Sequence, residues 1–168
     1  LENALQIKNN NFQFTLTDKL VSKNGSETVT FSASYKGVNM IHAKYKAFVK
    51  VGEVQFISME HYSFDRKMNK SAGLTKDQAR GFATNYVDAD VYVSETISNL
   101  LSKSAIKKEV SRLEAAYKEV YPSGELVYVN DYSTTKAELK LAYKFNMYAS
   151  KPVYRANIFI DAQSGKVL

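Results

Sequence analysis

The C-terminal stretch, residues 141–168, alternates apolar and polar side chains, and this alternation constrains the fold more than any other feature. The apolar positions of its two runs are two residues apart: Leu141, Tyr143, Phe145 and Met147, then Tyr154, Ala156, Ile158 and Ile160. Side chains of a strand point alternately to its two faces, so each run is predicted to form a strand with one buried face. The sequence Asp-Ala-Gln-Ser-Gly at 161–165 is typical of a tight turn with Gly at positive φ. We predict a hairpin, a turn and a short last strand at residues 166–168.

The first half of the chain is predicted to be an antiparallel meander. Short turn sequences, among them Asn24-Gly25, separate runs in which apolar and polar residues alternate. The predicted strands are residues 12–20, 27–35, 39–49 and 54–64.

A helical region follows the polar segment at residues 65–73. Thr75 and Gln78 have the spacing of a capping box, and the next apolar residues are at helical spacing: Ala79, Phe82, Ala83 and Tyr86. A second helix is predicted at 105–120 and a strand at 125–130. Residues 88–104 show no clear pattern, although Ser94-Glu95-Thr96-Ile97 suits the cap of a short helix. These elements predict an α+β fold of two subdomains, an N-terminal antiparallel meander sheet at residues 1–70 and a C-terminal helix-plus-antiparallel-sheet domain at residues 71–168.

Residues with the chemistry of catalysis are few and scattered. The chain has no cysteine, which excludes disulfides and thiolate catalysis, and its two histidines, His42 and His61, are not in a His-Glu-x-x-His motif. A cross-strand zinc site formed by the two histidines is one interpretation, and ordinary strand histidines are the other. Asp88 and Asp90 suit either a cation or acid–base site or a helix end. We therefore predict no catalytic residue, metal or cofactor in this chain.

Composition limits the partners. The net charge is +6 and the Lys and Arg residues are scattered, with no nucleic-acid-binding motif beside them, so we predict no nucleic-acid partner. No apolar run approaches the ~18–20 residues of a membrane span, so no membrane partner is predicted. Residues 1–4 have neither the basic nor the apolar segment of a signal peptide, and we expect any such peptide to have been removed.

The C-terminal pattern resembles a known family. The residues LAYKF at 141–145 and RANIFIDAQSGKVL at 155–168 resemble the end of the propeptide of secreted thermolysin-type zinc metalloproteases (the M4 family), in the part called the PepSY domain. The residues LTKDQA at 74–79 are similar to the opening of that domain. The chain ends about where the protease domain of that family would begin. The fungalysin group is closely similar and stays an alternative.

The first half resembles the FTP domain, which precedes PepSY in the same proteases. The residues VTFSASYKGV at 29–38 and VGEV at 51–54 carry this resemblance. The family usually has a Gln-rich strand before the Tyr-x-Gly unit, where this chain has FSAS at 31–34. The two resemblances follow each other in the order of the family.

Tyrosines on strands have two interpretations. Tyr35, Tyr45, Tyr62, Tyr143 and Tyr154 suit a docking surface, because Tyr offers rigid contact area with a polar tip. They equally suit the half-buried positions that Tyr prefers in strands. With the resemblance, we predict the following protease-facing residues: Tyr35, Gly37, Tyr143, Tyr154, Arg155, Lys166, Val167 and Leu168.

The resemblance implies a propeptide that helps a secreted, extracellular zinc metalloendopeptidase fold and inhibits it until cleavage. Its partner would be the mature protease domain cleaved from the same precursor, and zinc and calcium would belong to that partner. In this family the residues after the Gly-Lys-Val-Leu unit lie in the active-site cleft. The alternative is a stand-alone secreted PepSY-type protease inhibitor or binding module, and a third possibility is an enzyme with an unfamiliar site.

Overall fold

The computed structural model describes residues 11–59, 71–133 and 138–168. Within these ranges the chain forms eight strands and three helices, and the predicted α+β class is confirmed. The strands are β1 (Phe12–Val21), β2 (Glu27–Tyr35), β3 (Val38–Lys50), β4 (Glu53–Met59), β5 (Val91–Tyr92), β6 (Glu125–Asp131), β7 (Glu138–Lys151) and β8 (Val153–Asp161). The helices are α1 (Lys76–Val87), α2 (Val93–Lys103) and α3 (Lys107–Val120). In the part of the chain that is described, none of these helices is long and apolar enough to cross a membrane.

The chain divides into two compact units. The first contains Leu1–Met68 and Val127–Leu139, and the second contains Asn69–Leu126 and Lys140–Leu168. The predicted boundary segment, residues 65–73, lies mostly outside the described residues, so the boundary at residue 70 stays a prediction.

The first unit contains the predicted meander. β1, β2, β3 and β4 pair antiparallel in chain order. β3 also pairs with β6, and this pairing is parallel, with Asn39 opposite Val127 and Met40 opposite Tyr128. The prediction of a purely antiparallel sheet is therefore wrong at this place. No local pattern signals the pairing, because β6 follows β3 only after a long stretch of chain.

One face of the meander is apolar, as the alternation predicts. Leu16, Phe31, Tyr45 and Met59 lie opposite one another across the four strands. In the middle of this row Tyr45 is 1% exposed and Phe31 is half-buried, whereas Leu16 and Met59 at its two ends are 56% and 52% exposed. The opposite face carries polar pairs such as Ser32 and Lys44.

His42 lies at an irregularity of β3. The pairing with β2 shifts between the Ser32–Lys44 and Ser34–Asn39 pairs, which leaves the extra residues on β3. His42 is exposed there and has a φ of +66°, a left-handed conformation that few non-glycine residues adopt. The expectation of a regular strand at this position is therefore wrong, because a bulge separates the two registers.

Helix α1 of the second unit begins as predicted. The Thr75 hydroxyl accepts a hydrogen bond from the Gln78 amide at 3.2 Å, and the Gln78 side chain accepts one from the Thr75 amide at 2.8 Å. Ala79 and Ala83 are fully buried, but the other two residues of the predicted stripe, Phe82 and Tyr86, are 43% and 59% exposed. Only the small residues of the stripe therefore lie in the core.

The region without a clear pattern forms β5 and α2. A strand of two residues leads directly into the helix, and Tyr92 occupies the N-cap position without a side-chain capping bond. The next helix, α3, begins at Lys107 rather than at residue 105 and has no fully buried residue. Helices α2 and α3 pack against each other.

The sheet of the second unit contains the predicted C-terminal hairpin. β7 and β8 pair antiparallel from Ala142 opposite Asp161 to Ser150 opposite Val153, and β5 also pairs with β7. Most of the predicted inward residues form the core, with Phe145 and Ile160 at 0% exposure, whereas Tyr154 and Ala156 are half-buried. The predicted last strand is reduced to one bridge, between Ile160 and Val167.

Candidate functional site

Two of the predicted protease-facing residues lie in the first unit. Tyr35 is 9% exposed, and its ring contacts the rings of Phe12 and Tyr128, with centroids 4.9 and 5.9 Å away. The Tyr35 side chain is thus mainly part of the core and offers a partner little surface. Gly37 lies in the exposed turn between β2 and β3 and has a φ of +78°.

Tyr143, in the second unit, is also 9% exposed. Its hydroxyl donates a hydrogen bond to the Leu74 carbonyl at 3.2 Å. Tyr45 is 1% exposed, so the docking interpretation is wrong for Tyr45 and the core interpretation is correct. Tyr62 lies outside the described residues.

The remaining predicted residues lie toward the two ends of β8. Tyr154 and Arg155 are near its start, where the Arg155 guanidinium lies 4.8 Å from the centroid of the Tyr148 ring. Lys166, Val167 and Leu168 lie beside its end, where Val167 bridges Ile160. A strand rises about 3.4 Å per residue, so roughly 20 Å separates the two groups. The second unit does not bring them together in one compact site.

Asp161 organises the turn at the end of β8. Its carboxylate accepts hydrogen bonds from the amides of Gln163 and Ser164 at 2.8 and 2.9 Å. Gly165 has the positive φ, +75°, that the sequence predicts there. The turn is therefore held by a carboxylate that is itself only 8% exposed.

The turn is also tied to the segment that precedes α1. The Ala162 carbonyl accepts hydrogen bonds from the amides of Gly73 and Leu74, both at 2.9 Å, and the Gln163 side-chain amide donates to the Ser71 carbonyl. These contacts join the two segments of the second unit that carry the PepSY resemblance.

The outer side of β8 is the first candidate binding surface. The Leu168 amide donates to the Phe159 carbonyl at 3.0 Å, and the Asp161 amide donates to the Lys166 carbonyl at 2.8 Å. Among the described residues these bonds and the Ile160–Val167 bridge are the only strand-like pairing on this side of β8. Within residues 11–59, 71–133 and 138–168, the stretch from Val153 to Asn157 thus has a sheet neighbour on its β7 side alone.

A cavity among the helices of the second unit is the second candidate. Its volume is about 520 Å³, within the range of small-molecule sites. One guanidinium, one carboxylate, three phenols, small polar side chains and Met147 line the cavity. The principal lining residues are Arg80, Tyr92, Ser94, Glu95, Tyr117 and Tyr121.

Arg80 is the centre of the polar network in this cavity. Its guanidinium donates to the Tyr121 hydroxyl at 2.5 Å and lies 5.3 Å from the centroid of the same ring. It also forms an ion pair with Asp77 at 2.8 Å. The rings of Tyr117 and Tyr121 are stacked, with centroids 5.1 Å apart. Five N–H groups of a guanidinium can donate, so Arg80 keeps donors for a further polar group.

Tyr92 also lines the cavity. Burial raises the pKa of the Tyr92 hydroxyl above its ordinary value. This hydroxyl donates to the Thr84 carbonyl at 3.0 Å, and the Tyr92 amide donates to the Glu95 carboxylate at 3.4 Å. The lining offers hydrogen-bond donors and acceptors from Arg80, Glu95 and the tyrosine hydroxyls, so its chemistry suits the binding of a small polar group. Sequence reasoning missed this cavity, because its residues come from four separated segments.

The described residues, 11–59, 71–133 and 138–168, form no metal site of three or more ligands. His42 is exposed in the first unit, and His61 lies outside the described residues. Asp88 is the C-cap of α1 with a φ of +47°, as the helix-end interpretation predicts. The Asp90 amide donates to the Lys151 carbonyl at 2.9 Å.

Comparison with known proteins gives a likeness to solved structures alone. The chain matches no protein-family model and no curated protein. Among solved structures it is similar to the Bacillus megaterium YpeB C-terminal domain, with 15% sequence identity and a TM-score of 0.39. The likeness covers 92% of this chain and 54% of that chain, so this chain spans about half the length of the other. At this TM-score the likeness carries no argument about function.

Proposed function

We propose that this chain is a non-catalytic, protease-binding domain: the propeptide of a secreted thermolysin-type zinc metalloendopeptidase, made of FTP-like and PepSY-like parts. In this role it assists the folding of the protease domain from the same precursor and inhibits that domain until cleavage. Zinc and calcium belong to the protease in this proposal, and the site of action is extracellular.

One observation carries the proposal. The sequence that resembles the end of the M4 propeptide forms one continuous unit, in which β7, β8 and the Asp161 turn lead into residues 166–168. The turn is bonded to residues 71–74, next to the segment that resembles the opening of PepSY. The two parts of the resemblance are thus neighbours in space as well as members of one sequence pattern.

The charge of the chain also suits this role. A folding template needs a large complementary surface rather than reactive groups, and the net charge of +6 favours an acidic partner. We therefore expect the mature protease domain to carry net negative charge, and its association with this chain to weaken as salt is added.

The deciding measurement is the nucleotide sequence that follows the codon for Leu168 in the source genome. We expect an open reading frame that encodes a protease domain with His-Glu-x-x-His and a downstream Glu ligand. A stop codon directly after Leu168 would overturn the propeptide proposal.

A second experiment tests the mechanism with that protease domain. The denatured domain is diluted into buffer with or without this chain, and recovered peptidase activity is measured before and after the chain is digested away. We expect a higher yield of native protease with the chain present, and inhibition until digestion. Equal yields and no inhibition would show that the chain is not its chaperone and inhibitor.

A stand-alone secreted PepSY-type inhibitor or binding module is the second candidate. The observation in its favour is the Arg80 cavity, which is formed within the second unit and needs no attached protease to be complete. A stop codon after Leu168 together with ligand binding in this cavity would support this candidate.

A further inference from the structure

We propose that the outer edge of β8, formed by the backbone of Val153, Arg155 and Asn157, is a docking site for an extended polypeptide segment of alternating acidic and apolar residues. The segment adds to the sheet of the second unit as an antiparallel neighbour of β8. We call this surface the β8 edge. The inference rests on strand geometry and does not depend on a protease partner.

The hydrogen bonds at the end of β8 show which residues point outward. The Asp161 amide donates to the Lys166 carbonyl and the Phe159 carbonyl accepts from the Leu168 amide, at 2.8 and 3.0 Å. On the other side, the Ala162 amide donates to the Leu141 carbonyl of β7 at 2.9 Å. Backbone groups of a strand alternate between its two neighbours. Odd-numbered residues of β8 therefore direct N–H and C=O away from β7.

Val153, Arg155 and Asn157 continue this odd-numbered series. In the described part of the chain β7 is the only strand that pairs with β8 over this stretch, and Val153 is 87% exposed. Unpaired N–H and C=O groups in a row are a template for a further strand. The direction of that strand is already set, because Val167 pairs antiparallel with Ile160 and Leu168 with Phe159.

The side chains of β8 indicate the chemistry of the occupant. Arg155 and Asn157 are exposed on one face, whereas Tyr154 and Ala156 are half-buried on the other. Cross-strand neighbours on the same face interact directly, and opposite charges stabilise such pairs. The occupant is therefore expected to place an acidic residue beside Arg155 and apolar residues beside Tyr154 and Ala156.

Amide hydrogen exchange of the full chain, followed by NMR, tests the site. The probe is the peptide acetyl-Val-Glu-Val-Glu-Val-Glu-amide. Without it, we expect fast exchange at the Arg155 and Asn157 amides and slow exchange at the Ala156 amide, which points to β7. Saturating peptide should slow Arg155 and Asn157 about tenfold or more and leave Ala156 unchanged. Protection of Arg155 and Asn157 in the free monomer, or no slowing with peptide, would overturn the proposal.

Two substitutions separate backbone pairing from charge. Asn157→Pro removes an outward N–H, which an edge strand tolerates, and should weaken peptide binding about tenfold or more. Arg155→Glu leaves the backbone intact and should reverse the preference, so that acetyl-Val-Lys-Val-Lys-Val-Lys-amide binds better than the glutamate peptide. Lys107→Glu, the same charge change on exposed α3, is the control and should change neither affinity. An unchanged preference in Arg155→Glu would contradict the assigned occupant.

A second copy of the chain is the competing occupant. Sedimentation over a range of protein concentrations distinguishes the two. If Arg155 and Asn157 become protected only as a dimer forms, and peptide does not dissociate that dimer, the edge is a self-association surface and the proposed occupant is wrong. A monomer at all these concentrations, with peptide-dependent protection, supports the proposal.

Discussion

Gly165 lies directly against the ring of Phe82. A Cβ placed on Gly165 would come within 2.6 Å of Phe82 Cε2, closer than real Cβ atoms approach a neighbour. Gly165 also has a φ of +75°. The close approach brings the Asp161 turn against α1, and it gives the partly exposed Phe82 a packing role that its 43% exposure alone would not indicate.

Gly165→Ala is therefore expected to lower the free energy of unfolding by about 2–3 kcal/mol. About 1 kcal/mol comes from the left-handed backbone, and the rest from displacement of the Phe82 ring. Urea unfolding measures the change. In a Phe82→Ala background the same substitution should cost only about 1 kcal/mol, because the steric part is gone. Equal costs in the two backgrounds would show that the ring moves aside freely.

Three buried tyrosines predict how stability depends on alkaline pH. Burial raises the pKa of Tyr45, Tyr92 and Tyr128 above the ordinary value of 10.0. Near pH 10 the unfolded chain has begun to lose these phenol protons, whereas the folded chain retains them. The unfolded state then binds fewer protons, so the free energy of unfolding falls as pH rises. The stability that these protonated tyrosines contribute is complete below their pKa in the unfolded chain. It is lost as the pH rises through their pKa in the folded chain.

Tyr45→Phe should reduce this loss of stability. The variant lacks the buried hydroxyl, so its free energy of unfolding should fall less than that of the parent protein between about pH 9 and pH 11. Urea unfolding at a series of pH values measures the slope. Tyr86→Phe, at a tyrosine that is 59% exposed, is the control and should follow the parent. If the free energy of unfolding of Tyr45→Phe falls with pH as steeply as that of the parent protein, the prediction is wrong.

The Arg80–Tyr121 contact is expected to contribute more to stability than the Arg80–Asp77 ion pair. Tyr121→Phe removes the hydroxyl that accepts from the guanidinium and should lower the free energy of unfolding by about 1 kcal/mol. Asp77→Asn should cost less than about 0.5 kcal/mol, because the Asp77 side chain is 80% exposed. Urea unfolding of the two variants compares them directly. A larger cost for Asp77→Asn would reverse this ranking.

Asp161 is expected to stabilise its turn through hydrogen bonding rather than through charge. Asp161→Ala leaves the amides of Gln163 and Ser164 without their acceptor and should cost about 2 kcal/mol. Asp161→Asn keeps an oxygen at the same place and should cost less than about 1 kcal/mol. Thermal and urea unfolding both measure these changes. If Asn is as costly as Ala, the negative charge is the important property.

Local sequence patterns predict the structure correctly where the interacting residues are close along the chain. Thr75 and Gln78 are three positions apart, and their capping box forms as predicted. The alternation in β7 and β8 likewise predicts the buried Phe145 and Ile160. In both cases the physical cause, a capping bond or a two-residue period, is contained in a short window.

Contacts between residues that are far apart along the chain cannot be predicted from such short patterns. Arg80 and Tyr121 are hydrogen-bonded in the cavity, but the sequence around each residue contains no pattern that predicts the other as its partner. Tyr35 was predicted to face a partner, yet the Tyr128 ring packs against it. Within residues 88–104 only Ser94-Glu95-Thr96-Ile97 indicates a short helix, and α2 forms there at Val93–Lys103. β5 has two residues, which is too short for an alternation to be visible in the sequence.

The parallel pairing of β3 with β6 has a consequence for synthesis on the ribosome. Asn39 leaves the ribosome roughly ninety residues before Val127, its neighbour in the sheet, which at ordinary elongation rates is a delay of about 5–20 s. During this interval Tyr35 lacks the Tyr128 ring, and the described helices of the second unit, within residues 76–120, are synthesised. The first unit can therefore be completed only after these helices have been made, and the second unit is completed later still, because it needs residues 140–168.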